Sequence, residues 1–217
     1  MEQMTFAASY SGGKDSALAL CRAAEQGMVP AGLLTTYNTA LERSWFHGIP
    51  EPLLQQVGRA LGLPVTLIRT PPEQYRENFV DALQTLRSQG IRACVFGDID
   101  IEEHRSWCTQ VCREAEMEAV FPLWQESREA LVRECIRRGF RATVTVVDTR
   151  RLDPALLGQV LTEPLLEQIR AQGADICGEN GEYHSFVWDG PVFKAPVTFG
   201  TAPPQTRGDY AVLPLLP

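Results

Sequence analysis

Five short apolar runs alternate with amphipathic helical patterns along the first 124 residues, and this alternation limits the fold more than any other feature. Strands separated by helices pair in parallel, because each right-handed crossover returns the chain to the same edge of the sheet. The sequence therefore predicts an α/β fold with a Rossmann-like, five-stranded parallel sheet covered by helices on both faces. The predicted strands are residues 4–10, 29–37, 64–70, 93–99 and 119–124.

The pattern changes after Trp124, where a basic helix, a β-branched strand and a further helix precede a stretch rich in glycine and acidic residues. We expect residues 1–124 to form one domain and residues 125–217 to form a smaller α/β domain. Asp189-Gly190 resembles a turn between two apolar runs, although Pro191 is unfavourable in a two-residue hairpin. The remaining predicted elements are residues 127–138, 142–147 and 162–173.

The segment SYSGGKDSALAL (9–20) places a glycine loop between the first strand and the first helix. Free backbone N–H groups and the positive end of a helix converge at such a loop and attract anions. Two known phosphate-binding patterns do not match. The Walker pattern G-x-x-x-x-G-K-[ST] fails at Ala8 and Asp15, and G-x-G-x-x-G fails because Gly12 and Gly13 are adjacent. A simple turn would explain the glycines but not the serines, the lysine and the aspartate around them.

SGGKDS instead resembles the pyrophosphate loop of the N-type ATP pyrophosphatases, and the match is complete over residues 11–16. The resemblance implies an adenine nucleotide alpha hydrolase-like fold and cleavage of ATP between its α and β phosphates. It also implies that Lys14 acts in catalysis, by neutralising charge on the departing pyrophosphate, and that Asp15 binds Mg²⁺. The residues expected to hold ATP are Ser11, Gly12, Gly13, Lys14, Asp15 and Ser16.

Four further segments resemble one branch of that superfamily, the diphthine–ammonia ligase (diphthamide synthase) family. They are HGIP (47–50), GDI (97–99), PLW (122–124) and CGENGEYHSFVWDGPVF (177–193). The last segment departs from the family signature at Ser185, where the family usually carries threonine. Together with the loop, these resemblances extend over most of the chain, and the tail 194–217 adds no further motif.

The family resemblance implies an AMP-forming ligase that adenylates a carboxylate and amidates it with ammonia. The implied acceptor is diphthine on translation elongation factor 2, and the implied small-molecule partners are ATP and ammonium. A chain of 217 residues has no room for a glutaminase domain, which agrees with free ammonium as the donor. Two alternatives stay open: the same ATP chemistry on a carboxylate metabolite, and a non-catalytic adenine-nucleotide sensor.

The glycine-acid segment supplies the candidate residues for the acceptor and ammonia. Glu179 and Glu182 are suited to hold an ammonium ion, orient a cationic group or act as a general base. His184 is suited to hydrogen-bond the substrate or orient a glutamate. The alternative is a solvated acidic loop. Cys177 is a possible nucleophile, but no neighbouring residue in the sequence marks it as activated.

Gly97 and Asp98 lie at the carboxyl end of the fourth predicted strand, where α/β sheets place their ligands. We expect both to contact the nucleotide, with Asp98 as a second Mg²⁺ contact, or else to be turn residues. His47 either contacts the substrate or lies in an exposed loop. Arg105 either reaches a phosphate or lies on a helix surface.

Composition excludes several classes of function. The formal net charge of −7 argues against nucleic acid as the main partner, and no apolar run is long enough to span a bilayer. No secretory signal is visible, so we expect a cytoplasmic protein.

Cys108 and Cys112 follow the spacing of a buried helix face and are expected in the core rather than on a metal. The sequence does not indicate an oligomeric state.

Overall fold

The computed structural model describes residues 3–217 and confirms the Rossmann-like α/β fold with its five parallel strands. The strands lie in the order β4-β2-β1-β5-β6, so the direction of winding reverses between β1 and β5. A short strand, β3 (Arg43–Ser44), adds antiparallel to β2. The parallel strands are β1 (Thr5–Ser9), β2 (Val29–Asn38), β4 (Val65–Thr70), β5 (Ala93–Val95) and β6 (Glu118–Val120).

Helices cover both faces of this sheet, as alternating side chains of β1 show. Phe6 and Ala8 pack into a core with α1 (Lys14–Glu25) and α2 (Glu51–Leu61). Ala7 points to the opposite face and packs with α3 (Tyr75–Ser88) and α4 (Glu102–Glu114). Successive side chains of a strand point to opposite faces, so a strand buried on both faces has no polar side. Cys108 and Cys112 lie in the second core, as their spacing predicts.

The second part of the chain forms a four-stranded antiparallel sheet in the order β10-β11-β7-β8. Its strands are β7 (Arg141–Asp148), β8 (Tyr183–Asp189), β10 (Gln205–Arg207) and β11 (Tyr210–Val212). A separate pair consists of β9 (Gly200–Thr201) and β12 (Leu215–Leu216). Two helices, α5 (Arg128–Arg137) and α6 (Glu163–Ala171), complete this part. The tail, which carries no motif, therefore supplies four short strands.

The turn expected at Asp189-Gly190 does not begin a hairpin. The strand β8 ends at Asp189, and the chain then makes a turn in which the Phe193 N–H donates to the Gly190 carbonyl over 3.0 Å. The partner of β8 is β7 instead. Pro191 has no N–H to donate to a ladder, which accounts for the absence of a returning strand at this point.

The two parts share one hydrophobic core. Side chains of α1 and β1 pack in the same cluster as Leu131 and Val132 of α5 and Phe186 of β8. At its edge, Arg22 donates to Glu134 and Glu126 and links α1 to the second part. The division at residue 124 stays a prediction. Within residues 3–217, no helix combines the length and the apolar character needed to cross a membrane.

Candidate active site

A cavity of about 890 Å³ lies at the carboxyl ends of the parallel strands. Ser9, at the end of β1, and Gly97, after β5, both line it, so it spans the point where the sheet reverses its winding. Open α/β sheets place ligands at this point, because the connections leave a crevice there. The volume is in the range of small-molecule sites. The second part of the chain forms the opposite wall with residues 178–181 and 183–185.

Glycines allow the loop after β1 to pack closely against its neighbours. Gly12 has a φ of +88°, and a Cβ there would lie 2.3 Å from Ile49 Cδ1. A Cβ on Gly13 would lie 2.5 Å from Cε1 of His47. Gly97 approaches the backbone itself, because its Cβ would lie 2.8 Å from the carbonyl carbon of Asp15. Gly97 and the loop therefore lie side by side at the carboxyl ends of β5 and β1.

Lys14 and Asp15 form an ion pair at the start of α1. Nζ of Lys14 lies 2.7 Å from Oδ2 of Asp15, and the lysine is only 5% exposed. Burial alone lowers the pKa of Lys14, but the Asp15 carboxylate outweighs this and holds the pKa well above its ordinary value. The Nζ also lies 5.6 Å from the centroid of the Tyr183 ring. Lys14 therefore stays a cation at neutral pH.

Three serine hydroxyls surround the loop. Ser16 donates to the Gly13 carbonyl over 2.9 Å, and Ser11 lies within 3.3 Å of both Ser16 Oγ and the Gly13 N–H. The Lys14 N–H donates to the hydroxyl of Ser185 over 3.4 Å. Ser185 belongs to β8, so the second part of the chain contacts the backbone at the first residue of α1. Hydroxyls and N–H groups at a helix start are the donors that hold phosphate groups.

Asp98 lies on the cavity wall beside a histidine that the sequence analysis did not consider. Its Oδ1 is 3.3 Å from Nδ1 of His104, and this contact raises the pKa of His104. Its Oδ2 lies 3.9 Å from the Sγ of Cys108. His104 falls in the first turn of α4, six positions after Asp98. A titratable residue in the first turn of the helix that follows a strand-end aspartate is the signal that could have identified it.

Glu179 is a carboxylate on the cavity wall with an altered acidity. Burial, followed by the negative charge of Asp15, raises its pKa to about 7, while Lys14 acts in the opposite direction. It is half-buried and lines the same cavity as the loop. A carboxylate with a pKa near neutrality both accepts and releases a proton at physiological pH, as a general base must.

Glu182 lies outside the cavity wall. Its Oε1 accepts from Nη1 of Arg151 over 3.0 Å, and its two oxygens accept from the side chain and the backbone N–H of Asn180. The residue is only 2% exposed. Because its oxygens already accept hydrogen bonds from Arg151 and Asn180, this position supports a positioning role. It does not support the direct contact with ammonium that the sequence suggested.

His184 and His47 face each other beside the loop, with ring centroids 4.8 Å apart. Both line the cavity. Burial, with a contribution from Lys14, lowers the pKa of His47 to about 4. Burial, the neighbouring His47 and Lys14 lower the pKa of His184 to about 3. Both imidazoles are therefore neutral at physiological pH, and His184 lies on the cavity wall.

The structure supports neither a nucleophilic role for Cys177 nor a phosphate contact for Arg105. Cys177 is fully buried, and burial raises its pKa to about 12, so its thiol is not activated as a nucleophile. The Arg105 guanidinium stacks over the ring of Trp124, 4.7 Å from the centroid, and Arg105 is not on the cavity wall. It packs on a helix surface, the second of the two alternatives.

Aromatic side chains form an apolar wall that the sequence analysis did not identify. Trp107 lies 5.1 Å from Phe79 and 5.8 Å from Tyr75, measured between ring centroids. All three line the cavity together with Phe96. They come from α3, α4 and the end of β5, so only the folded sheet brings them together. Their spacing along the helices is also the spacing of residues that pack in the core, so the sequence does not distinguish the two positions.

Asp15 offers one free ligand atom for a cation. Its Oδ1 is buried and has no hydrogen-bond partner among the described residues. This oxygen can therefore accept a cation. Among residues 3–217, no three His, Cys, Asp or Glu side chains are close enough to hold a metal ion together. Mg²⁺ commonly binds through one or two carboxylates plus substrate phosphates, so these residues fit an ion that arrives with a nucleotide.

The chain is similar to known proteins over most of its length. The rat (Rattus norvegicus) diphthine–ammonia ligase is 28% identical over 92% of this chain and 84% of its own length. The bovine (Bos taurus) diphthine–ammonia ligase is 27% identical over 98% of this chain and 89% of its own. A solved structure, a predicted subunit of a tRNA methyltransferase from Methanocaldococcus jannaschii, shows a weak likeness (TM-score 0.47, 17% identity, 89% of this chain and 100% of that chain).

Two family models match consecutive parts of the chain. The diphthamide synthase N-terminal domain matches residues 4–119, which contain the glycine loop and the parallel sheet. The diphthamide synthase C-terminal domain matches residues 127–202, which contain Glu179 and His184. The matches thus include both walls of the cavity. The chain belongs to the diphthamide synthase family.

Proposed function

We propose that this chain is an ATP-dependent ligase that activates a carboxylate as its acyl-adenylate and converts it into an amide with ammonia. The acceptor we propose is diphthine on elongation factor 2, in line with the names of its mammalian relatives. One observation carries the proposal: the loop bearing Lys14 and Asp15 faces Glu179 across a single cavity. That cavity therefore holds a cation for phosphates on one wall and a base for ammonium on the other.

The loop wall suits the nucleotide. The loop N–H groups and the hydroxyls of Ser11 and Ser16 would hold the phosphates, and Lys14 would stabilise the charge that develops as pyrophosphate leaves. Asp15, through its unpaired Oδ1, would hold Mg²⁺, which supplies further positive charge to the phosphates when bound. The aromatic wall around Trp107 would receive the adenine ring by stacking.

The opposite wall suits the second half-reaction. Glu179 would take a proton from ammonium, which frees the nitrogen lone pair to form the C–N bond as the bond between the acyl carbon and AMP breaks. The second proton that the nitrogen must lose to become an amide would pass to solvent water. Its pKa of about 7 makes it partly ionised at physiological pH, so it can take that proton. The buried Glu182 would hold the loop that carries Glu179, through its bonds to Asn180 and Arg151.

The test is to supply ATP labelled on the α-phosphate together with diphthine-bearing elongation factor 2 and ammonium. We expect labelled AMP and pyrophosphate by chromatography, and a mass change on the acceptor equal to conversion of a carboxylate into an amide. Release of ADP and orthophosphate would contradict the proposed chemistry. AMP formation that requires a small carboxylate instead of the elongation factor would assign a different acceptor to the same chemistry.

A further inference from the structure

His47 is held in place on the cavity wall by contacts from both parts of the chain. Its Nδ1 lies 2.9 Å from the carbonyl oxygen of Ser185 on β8. Its ring fills the space that a side chain on Gly13 would need. The backbone N–H of His47 donates to the Trp45 carbonyl over 2.7 Å, in the turn that follows β3. The imidazole is thus fixed directly above the glycine loop.

The bond to Ser185 determines which ring nitrogen of His47 carries hydrogen. A carbonyl oxygen only accepts hydrogen bonds, so the hydrogen must lie on Nδ1. The ring is neutral, because burial and Lys14 hold its pKa at about 4. Nε2 therefore has a free lone pair. Among residues 3–217, no side chain or backbone group donates a hydrogen bond to this atom.

The buried surroundings of Nε2 favour an uncharged hydrogen-bond donor. The neighbouring His184 ring is neutral, with a pKa of about 3, and the buried Lys14 ammonium lowers the pKa of both imidazoles. The burial that keeps these rings neutral also disfavours an ammonium ion beside them, and the charge of Lys14 acts in the same direction, so ammonia is favoured at this position. Ammonia has three N–H groups and a lone pair, so it can donate to an imidazole and still attack.

We propose that His47 Nε2 binds the ammonia that forms the amide, by accepting a hydrogen bond from one of its N–H groups. The inference rests on the function proposed above, because it assigns the position of that reaction's nitrogen donor. His47 thereby becomes an ammonia-binding residue in the same cavity as Glu179, which removes the proton from ammonium. The nitrogen lone pair then stays free for the carbonyl carbon of the activated acceptor.

Two substitutions separate this role from a structural one. In His47→Asn the amide N–H can still donate to the Ser185 carbonyl, but no acceptor remains at the position of Nε2. We expect the KM for ammonium to rise about 10-fold, the scale of one lost hydrogen bond, while acceptor-dependent ATP–pyrophosphate exchange stays near the wild-type rate. In His47→Gln the amide oxygen reaches the position of Nε2, and we expect it to restore much of the ammonium affinity.

An unchanged KM for ammonium in His47→Asn, or a KM in His47→Gln that is raised as much, would overturn the inference. Loss of pyrophosphate exchange in both variants, with unchanged thermal unfolding, would place His47 in the nucleotide site and overturn it as well. Failure of the proposed function looks different. In that case the wild-type protein itself would show no exchange that depends on diphthine-bearing elongation factor 2.

Discussion

The backbone N–H of Val187 donates to the carbonyl oxygen of Gly12 over 2.8 Å, so strand β8 holds the glycine loop directly. Two residues earlier, the hydroxyl of Ser185 accepts from the Lys14 N–H. The loop that belongs to the first sheet is therefore shaped in part by the second. This explains how the glycine loop and the cavity wall formed by the second part of the chain keep a defined separation.

Gly97→Ala should weaken ATP binding by disturbing this loop from the other side. The new Cβ would lie 2.8 Å from backbone atoms of Asp15 and Ser16, and backbone cannot move aside as a flexible side chain can. We expect about a 10-fold or greater loss of ATP affinity by calorimetry, together with a destabilisation of about 1–3 kcal/mol. Gly200→Ala is the control, because its Cβ would meet Leu216 at an ordinary 3.6 Å. Equal affinity in the two variants would contradict the close approach of Gly97.

Lys14→Met should lower the rate of adenylation by about 10²-fold, the scale of one preorganised electrostatic contact. Methionine keeps most of the buried stem, but it leaves Asp15 without its partner at 2.7 Å, so a moderate loss of stability accompanies the loss of rate. The second lysine of the chain, the exposed Lys194, gives the control Lys194→Met. Pyrophosphate exchange and thermal unfolding measure the two effects. Near-normal exchange in Lys14→Met would exclude this role.

Mg²⁺ should bind tightly only when the nucleotide is present. Asp15 offers a single unpaired oxygen, and the described residues contain no group of three metal-binding side chains. Titration of the protein with Mg²⁺ alone should give little heat, whereas titration in the presence of a non-hydrolysable ATP analogue should give a saturable isotherm. Asp15→Asn should weaken the second isotherm. Tight binding of Mg²⁺ without nucleotide would show that the ion has a site of its own.

The local pattern of the sequence predicted the first sheet well, because each strand there is a continuous apolar run between amphipathic helices. Phe6 and Ala8 face one core and Ala7 the other, and this burial on both faces is what an unbroken apolar run requires. The same local sequence patterns did not predict the strands β10 and β11. The exposed β10 pairs only with β11, and β11 in turn pairs with β7, a contact between residues about 60 positions apart.

The sequence indicated which residues line the candidate site only where a known motif fixes the direction of their side chains. The loop motif contains residues that line one wall of the cavity, but the spacing of Glu179 and Glu182 by three did not reveal that one lines the cavity and the other turns away. That difference depends on Arg151, which comes from a distant part of the chain. The aromatic wall around Trp107 was missed for the same reason, since α3 and α4 meet only in the folded protein.

Arg151→Ala should destabilise the protein more than Glu182→Gln. Removing Arg151 leaves the Glu182 carboxylate, which is only 2% exposed, without a charged partner, whereas glutamine at 182 carries no charge to compensate. Because an uncharged residue 182 does not need Arg151, the double variant should be more stable than Arg151→Ala alone. Urea unfolding of the three variants measures this order. If the double variant were the least stable, Arg151 would be stabilising through contacts other than Glu182.

Glu179→Gln should abolish amide formation while ATP affinity stays near normal, since glutamine keeps the shape of glutamate but cannot take a proton. It should also change the pH dependence of stability. The pKa of Glu179 in the folded protein is about 7, above its ordinary 4.5, so the folded state binds more protons than the unfolded state between these values. The unfolding free energy contributed by this group therefore falls as the pH rises through that window.

At about pH 4, below both values, the Glu179→Gln variant and the wild type should have similar stability, because Glu179 is uncharged in both states. At pH 8 the variant should be more stable by an amount on the order of 1–3 kcal/mol, because it avoids the cost of burying a charge. Glu77→Gln on the exposed face of α3 is the control and should show no such gain. A Glu179→Gln variant that is no more stable at pH 8, or that still forms amide at the wild-type rate, would remove Glu179 from its role as the base.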